Sequence, residues 1–263
     1  MAEPVRKTPL PPVPEDLEDL EEGPGMTVLR FVERADSGVE QVEIPLTPEI
    51  FLNPRIGDQM SQGRRHIDTA LGLTALFQNH LRAEPDVIVL CDVKHRFGPG
   101  RRQPSPDVSV IRGVRNAKAD RNSFDIRKEG VSPSLIVEIV SPLSSRIRRV
   151  DLVDKVDIYQ RAGVTEYVIA DSTIRDRRYR LLGYRLDRSG RYRPIRPDAQ
   201  GRLLSETTGV WFQVSPDGER IFLLEHPSGR RLLNLEETDD ARREAEAELA
   251  RLRQEIDRLR GKS

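Results

Sequence analysis

The chain has 263 residues, enough to bury a hydrophobic core, and its 43 Lys and Arg balance 43 Asp and Glu to a formal net charge of zero. The single cysteine, Cys91, excludes an internal disulfide and a zinc site built on thiolates, and favours a reducing, cytoplasmic location. The longest apolar runs are a few residues long, whereas a membrane span needs about 20, so we expect no membrane segment.

Composition divides the chain into three parts. Residues 1–25 are rich in proline and acidic side chains and cannot bury enough apolar surface to order themselves, which predicts a flexible arm. Residues 26–235 are predicted to form one domain with a carboxy-terminal β extension. Residues 236–263 are predicted to form a charged helix.

The first predicted element of the core is an amphipathic helix within residues 61–82. Its apolar positions recur with helical spacing at Ile67, Ala70, Leu71, Phe77 and Leu81. Three β-rich runs follow at 87–91, 108–111 and 135–140. Continuous apolar runs of this kind are typical of strands buried on both faces.

A second helix is predicted from Asp151 onward, with Gly163 placed as its carboxy-terminal cap. A fourth strand follows at 166–170, and turn-forming sequences beyond it indicate antiparallel hairpins. The resulting order, α-β-β-β-α-β, predicts an α/β (α+β) fold: a mixed sheet flanked by helices, with added hairpins and a carboxy-terminal helix.

The carboxy-terminal helix carries a short heptad pattern. Its apolar residues repeat with 4-3-4-3 spacing: Ala245, Leu249, Leu252, Ile256 and Leu259. Two interpretations stay open. The helix packs on its own domain, or it mediates association, either with a second copy as a homodimer or with another partner.

Charge is segregated along the chain. Residues 94–149 hold 13 Lys and Arg against 5 Asp and Glu, a net charge of +8. This segment is either a set of solvated basic loops or a surface that contacts the phosphates of DNA.

Glu138 is the most informative residue for chemistry. It lies in a very apolar strand between Ile136 and Val140, where an unpaired carboxylate costs several kcal/mol. Asp107 stands at the start of the preceding strand, so neighbouring strands would bring the two carboxylates into one cleft. Paired carboxylates with water suit Mg²⁺ or Mn²⁺, and such an ion activates water for attack on a phosphate.

Lys155, one turn after Asp151, is a candidate to assist the attacking water in the same cleft. Two simpler interpretations compete with a catalytic role. Asp151 and Lys155 form an i,i+4 surface pair, or Glu138 and Lys155 form a structural ion pair that needs no metal.

His66, near the start of the first helix, is a further candidate for the cleft, although a lone histidine is more often a packing or capping residue. Asp171 and Asp68 are expected to be solvated or capping acids.

Residues 105–171 resemble the Uma2 family of restriction endonucleases, with a weaker likeness from about residue 61 through the β extension. The segments that carry the resemblance are Pro106 to Val110, Pro133 to Pro142, Asp151 to Tyr159 and Ala162 to Asp171. The resemblance implies the restriction-endonuclease-like fold of the PD-(D/E)XK superfamily. It assigns Asp107 and Glu138 to the metal and Lys155 to catalysis.

The sequence departs from the family pattern in two places. Val140 stands where the motif lysine is usual, and Lys155 matches the position to which the lysine moves in such families. No glutamate-bearing amino-terminal segment is visible around 51–58, so the resemblance assigns no extra metal ligand there.

These features lead to a first hypothesis, a Mg²⁺-dependent endonuclease that cleaves DNA. A catalytically inactive, nuclease-like module for nucleic-acid binding or assembly is the alternative, and a scaffold that binds no nucleic acid is a third.

Overall fold

A computed structural model describes residues 26–33, 38–60, 62–140, 144–172 and 178–260. The predicted arm at 1–25 and the Ser141-Pro142 part of the family-like segment lie outside the described residues. Among the helices of the described residues, none combines the length and apolar character that a membrane crossing requires.

The described chain opens with a small sheet that the sequence patterns did not reveal. Strands β1 (Thr27–Glu33) and β2 (Val39–Pro45) form an antiparallel hairpin, helix α1 (Pro48–Leu52) follows, and β3 (Gln59–Met60) pairs with β1. Arg30 Nη2 lies 2.6 Å from Asp58 Oδ2 and ties the hairpin to the loop before β3.

The predicted first helix and the next strands are present. The elements are α2 (Arg64–His80), β4 (Ile88–Cys91), β5 (His95–Arg96) and β6 (Val108–Ile111). Of the apolar positions predicted to face the core, Ile67 and Leu71 are exposed, and Leu73 is buried instead. The buried face follows residues 70, 73, 77 and 81, because these positions line up on the side of α2 that meets the sheet.

The chain then builds the centre of the molecule. Its elements are β7 (Phe124–Asp125), α3 (Ile126–Glu129), β8 (Leu135–Ile139), α4 (Ser145–Arg149), a π-helical turn (Val150–Asp154), α5 (Lys155–Arg161) and β9 (Glu166–Asp171). Gly163 follows α5 with φ +73°, a conformation that favours glycine, so the predicted cap is confirmed.

The remaining elements form the antiparallel extension and the last helix. They are β10 (Arg180–Leu186), β11 (Tyr192–Pro194), β12 (Leu203–Ser205), β13 (Val210–Val214), β14 (Ile221–Glu225) and α6 (Leu235–Arg260). Strands β12, β13 and β14 form a separate three-stranded sheet.

The central sheet has the strand order β11-β10-β9-β8-β6-β4. Strand β8 is parallel to β9 and antiparallel to β6, which confirms the predicted mixed sheet of α-β-β-β-α-β order. One face packs against α2 and the sheet β12-β13-β14, and the other packs against α5. Strand β8 therefore lies buried at the centre, with helices over both faces.

His95, in β5, is a buried histidine outside the predicted cleft. Its Nδ1 lies 2.6 Å from the Val93 carbonyl oxygen, and its ring packs against Phe97 and Phe124. Because burial disfavours the charged ring, it lowers the pKa of His95 to about 4.

The depressed pKa of His95 predicts a loss of stability in acid. The unfolded histidine binds a proton near its ordinary value of 6.5, so stability falls as the pH drops from about 6.5 toward 4. His95→Asn keeps a hydrogen-bond donor but does not titrate. We expect this variant to lose about 2 kcal/mol less free energy of unfolding than the wild type between pH 7 and pH 4.5. Urea unfolding of both proteins measures this. The same dependence of the free energy of unfolding on pH in both proteins would contradict this prediction.

Candidate active site

The two carboxylates singled out by the sequence lie side by side. Asp107 immediately precedes β6, Glu138 is in β8, and the pairing of Val108 with Val137 continues to place Asp107 opposite Glu138. Asp107 is 7% exposed and Glu138 is 2% exposed. The sheet register thus accounts for the predicted convergence, since opposed residues on antiparallel strands share a face.

Lys155, the first residue of α5, joins this pair. Its Nζ atom lies 2.9 Å from Glu138 Oε1 and 2.7 Å from Asp151 Oδ1, and 4.2 Å from the centre of the Phe51 ring. The i,i+4 pair with Asp151 is therefore present, but it is buried, so its interpretation as a surface pair is wrong.

His66 and the backbone of β8 hold both oxygens of Asp107. His66 Nε2 lies 3.0 Å from Oδ1, and the Ile139 N–H donates to Oδ2 at 2.6 Å. The cluster therefore contains all five predicted site residues: His66, Asp107, Glu138, Asp151 and Lys155.

Two tyrosines complete the cluster, and the sequence patterns did not assign them to it. Tyr159 donates its hydroxyl to Glu138 Oε1 at 2.5 Å, and Tyr167 donates to the Asp151 carbonyl oxygen at 2.8 Å. Tyr159 follows Lys155 by four residues, so its helical spacing is the signal that could have placed it beside the lysine.

The buried charged groups shift one another's pKa values. Burial raises the pKa of Glu138 well above its usual range, with Asp107 and Asp151 acting in the same direction against Lys155. Burial likewise raises the pKa of Asp151 to about 6. Glu138 and Asp151 share the ammonium of Lys155 and Asp107 pairs with His66, so the site holds three carboxyl groups against two basic groups.

The pKa values of Asp107 and His66 move in opposite directions. Although burial acts against it, the His66 ring lowers the pKa of Asp107. Burial also opposes the shift at His66, but the Asp107 carboxylate raises its pKa. Each group therefore favours the charged form of the other.

Asp92, just after β4, is an exposed acid that interacts electrostatically with Asp107 of the cluster. Loss of hydration around its carboxylate and the charge of Asp107 raise the pKa of Asp92 to about 6. No sequence pattern pointed to this residue.

The donor chemistry fits a hard divalent cation. Asp107 and Glu138 offer adjacent carboxylate oxygens in a site with excess acidity, and Mg²⁺ is usually held by one or two carboxylates while it keeps several waters. Within the described residues, no three His, Cys, Asp or Glu side chains are grouped as ligands.

Asp171 corrects another expectation, because it is fully buried and not solvated. Arg148 donates to both of its carboxylate oxygens at 2.8 and 2.7 Å, and Arg180 adds a contact of 2.6 Å. Since Arg148 is itself fully buried, it does not belong to the proposed phosphate-contacting surface. Asp68 is exposed and pairs with Arg64, as expected for a solvated acid.

Other members of the basic segment also have acidic partners. Arg102 pairs with Glu49, Arg112 with Glu84, and Arg121 with Glu129. The exposed basic residues of the segment include Arg101, Arg115, Lys118, Arg127 and Lys128.

Comparison with known proteins identifies the family of the chain. No curated protein matches the chain. A crystal structure described as "a putative nuclease belonging to DUF820 from Anabaena variabilis ATCC 29413" shares 15% identity, with a TM-score of 0.41, over 75% of this chain and 92% of that one. The family model described as "Uma2: Putative restriction endonuclease" matches residues 51–217. This match spans more than half of the sequence and includes every residue of the cluster, so the chain belongs to the Uma2 family.

Proposed function

We propose that the protein is a Mg²⁺-dependent endonuclease that hydrolyses DNA phosphodiester bonds. The observation that carries this proposal is that Asp107 and Glu138, on neighbouring strands of the central sheet, lie buried together with Lys155 of helix α5. Membership in the family supports nuclease activity and a nucleic-acid substrate.

Asp107 and Glu138 would hold the ion, which when bound activates water and neutralises charge on the phosphate. Lys155 supplies a fixed positive charge beside Glu138, suited to stabilise the negative charge that develops on a phosphate under attack. Because this ammonium is buried, its field is less screened than that of a surface lysine.

The neighbours of the carboxylates act as positioning groups. His66 and the Ile139 N–H fix the Asp107 carboxylate, and the Tyr159 hydroxyl fixes Glu138. Hydrogen bonds of this kind fix the orientation of the carboxylate ligands before an ion binds.

DNA binding would use the exposed basic residues of the 94–149 segment. Exposed lysines and arginines contact phosphates without reading sequence and make affinity depend strongly on salt. The buried Arg148 and the ion-paired Arg112 and Arg121 contribute little to such a surface.

The second candidate is an inactive, nuclease-like binding module. Lys155 already pairs with both Glu138 and Asp151, so the cluster is also a self-sufficient structural ion network. This observation favours a fold retained without catalysis.

Removal of the Glu138 charge distinguishes the endonuclease from the inactive binding module. We expect Glu138→Gln to abolish saturable Mn²⁺ binding in calorimetry. We also expect it to slow Mg²⁺-dependent plasmid cleavage by about 100-fold or more, since a bound ion supplies several kcal/mol of transition-state stabilisation. Because burial raises the pKa of Glu138 and an ion binds its charged form, wild-type binding should release protons and tighten as pH rises.

The matched control is Glu129→Gln, which removes a carboxylate that pairs with Arg121 away from the cluster. Circular dichroism establishes that both variants are folded. Wild-type cleavage by folded Glu138→Gln would refute the proposal. Salt-dependent DNA binding that needs no divalent ion and survives Glu138→Gln, without cleavage by either protein, would establish the binding module.

A further inference from the structure

Helix α6 extends away from the body of the protein. From Asp239 to Arg260, every side chain that the structure describes on this helix is exposed. The interpretation of the helix as an element packed on its own domain is therefore wrong for this stretch.

An apolar stripe runs along the exposed helix. Leu249, Leu252, Ile256 and Leu259 are between 46% and 64% exposed. With Ala245 they occupy the a and d positions of a heptad repeat, Leu249 and Ile256 at a and the others at d. This is the seam through which two helices pack in a coiled coil.

The charged residues beside the apolar stripe indicate which helix packs against it. Glu248 and Glu255 occupy g positions, while Arg253 and Arg260 occupy e positions. In a parallel pair, each g residue faces the e residue five positions later on the other helix. Glu248 would then face Arg253 of a second copy, and Glu255 would face Arg260.

The antiparallel arrangement does not share this complementarity. It would set g positions against g, which brings Glu248 against Glu255, and e positions against e, where Glu246 stands with Arg253 and Arg260. The repulsion between the two glutamates is therefore present only in the antiparallel pair. Like charges in these positions are unfavourable. We infer that α6 pairs in parallel with α6 of a second copy of this chain.

The short seam sets the strength of this association. It spans about two heptads, with Arg242 at the a position before Leu249, so the pairing is concentration-dependent. Glu248 also contacts Arg251 of its own helix at 3.4 Å, an exposed contact that an interhelical partner can replace at little cost.

Sedimentation velocity of the full chain, from about 1 to about 200 µM at low salt, tests the association. We expect the mass to rise toward that of a dimer. Arg253→Glu/Arg260→Glu should weaken dimerisation at least about tenfold, and Glu248→Arg/Glu255→Arg should do the same. An equimolar mixture of the two variants should restore it.

The matched control is Arg251→Glu/Arg258→Glu, which makes the same charge change at two c positions on the outer side of the helix. It should dimerise far more strongly than Arg253→Glu/Arg260→Glu. Equal weakening by both Arg-to-Glu pairs, or a wild-type monomer over the whole range, would overturn the inference.

Orientation is tested by disulfide trapping in a Cys91→Ser background. In a parallel pair the two 259 positions face each other, so Leu259→Cys should cross-link to itself under mild oxidation. In an antiparallel pair a positions face d positions, so preferential cross-linking between Ala245→Cys and Ile256→Cys chains in a mixture would show that arrangement and overturn the inference.

Discussion

Replacing Lys155 with methionine is expected to lower the free energy of unfolding by about 3–5 kcal/mol. The variant removes the ammonium that contacts Glu138 and Asp151 while all three side chains are buried. Methionine preserves most of the aliphatic stem, so the loss reports the uncompensated carboxylates and not a cavity. Urea unfolding followed by circular dichroism at pH 7 measures it.

The defect of Lys155→Met should depend on pH. Lys155 lowers the pKa values of Glu138 and Asp151, so both values rise further in the variant. A carboxyl group whose folded pKa is raised loses stability as the pH rises through that value. We therefore expect a larger defect at pH 8 than at pH 5, and a partial recovery in Lys155→Met/Glu138→Gln.

Lys128→Met, at an exposed lysine of α3, is the control and should change stability by less than about 0.5 kcal/mol. A loss below about 1 kcal/mol in Lys155→Met, with no dependence on pH, would contradict the electrostatic account of the cluster.

Asp171→Asn is expected to cost about 3–5 kcal/mol as well. The amide cannot accept the paired donors of the Arg148 guanidinium, whose charge is fully buried at the start of the helical segment that leads to Lys155. Arg180 contacts the same carboxylate from a half-exposed position and can turn to solvent. Denaturant unfolding measures the loss.

The control for Asp171→Asn is Asp157→Asn, which breaks the exposed i,i+4 pair with Arg161. It should cost less than about 1 kcal/mol, as surface ion pairs do. A double variant, Arg148→Met/Asp171→Leu, should be more stable than Asp171→Asn because no charge is left buried alone. Similar costs for Asp157→Asn and Asp171→Asn would exclude a structural role for the buried pair.

The central strands and the positions of the principal site residues could be predicted because both depend on local pattern. Strand β6 has the predicted bounds, and β8 differs by one residue, since continuous apolar runs have few alternatives to a buried strand. Glu138 was conspicuous because its burial demands a partner, and Asp107 and Lys155 were the candidates for its surroundings.

The missed features depend on tertiary partners that a linear pattern does not show. Asp171 reads as a polar strand end, yet the distant Arg148 and Arg180 bury it. Ile67 and Leu71 share a helix with the core residues, but the sheet covers a neighbouring stripe of α2. The charge pattern of 94–149 likewise concealed pairs with acids from other segments.

The π-helical turn at Val150–Asp154 changes the backbone hydrogen bonding just before Lys155. The Lys155 N–H donates to the Val150 carbonyl, so the Asp151 carbonyl is released from its normal helical acceptor role and binds the Tyr167 hydroxyl instead. The Tyr167 hydroxyl on β9 thus occupies a carbonyl oxygen that a regular α-helical turn would use. A regular α-helix would turn Lys155 about the helix axis relative to the residues before it, so the π-helical turn sets the angular position at which Lys155 meets Glu138.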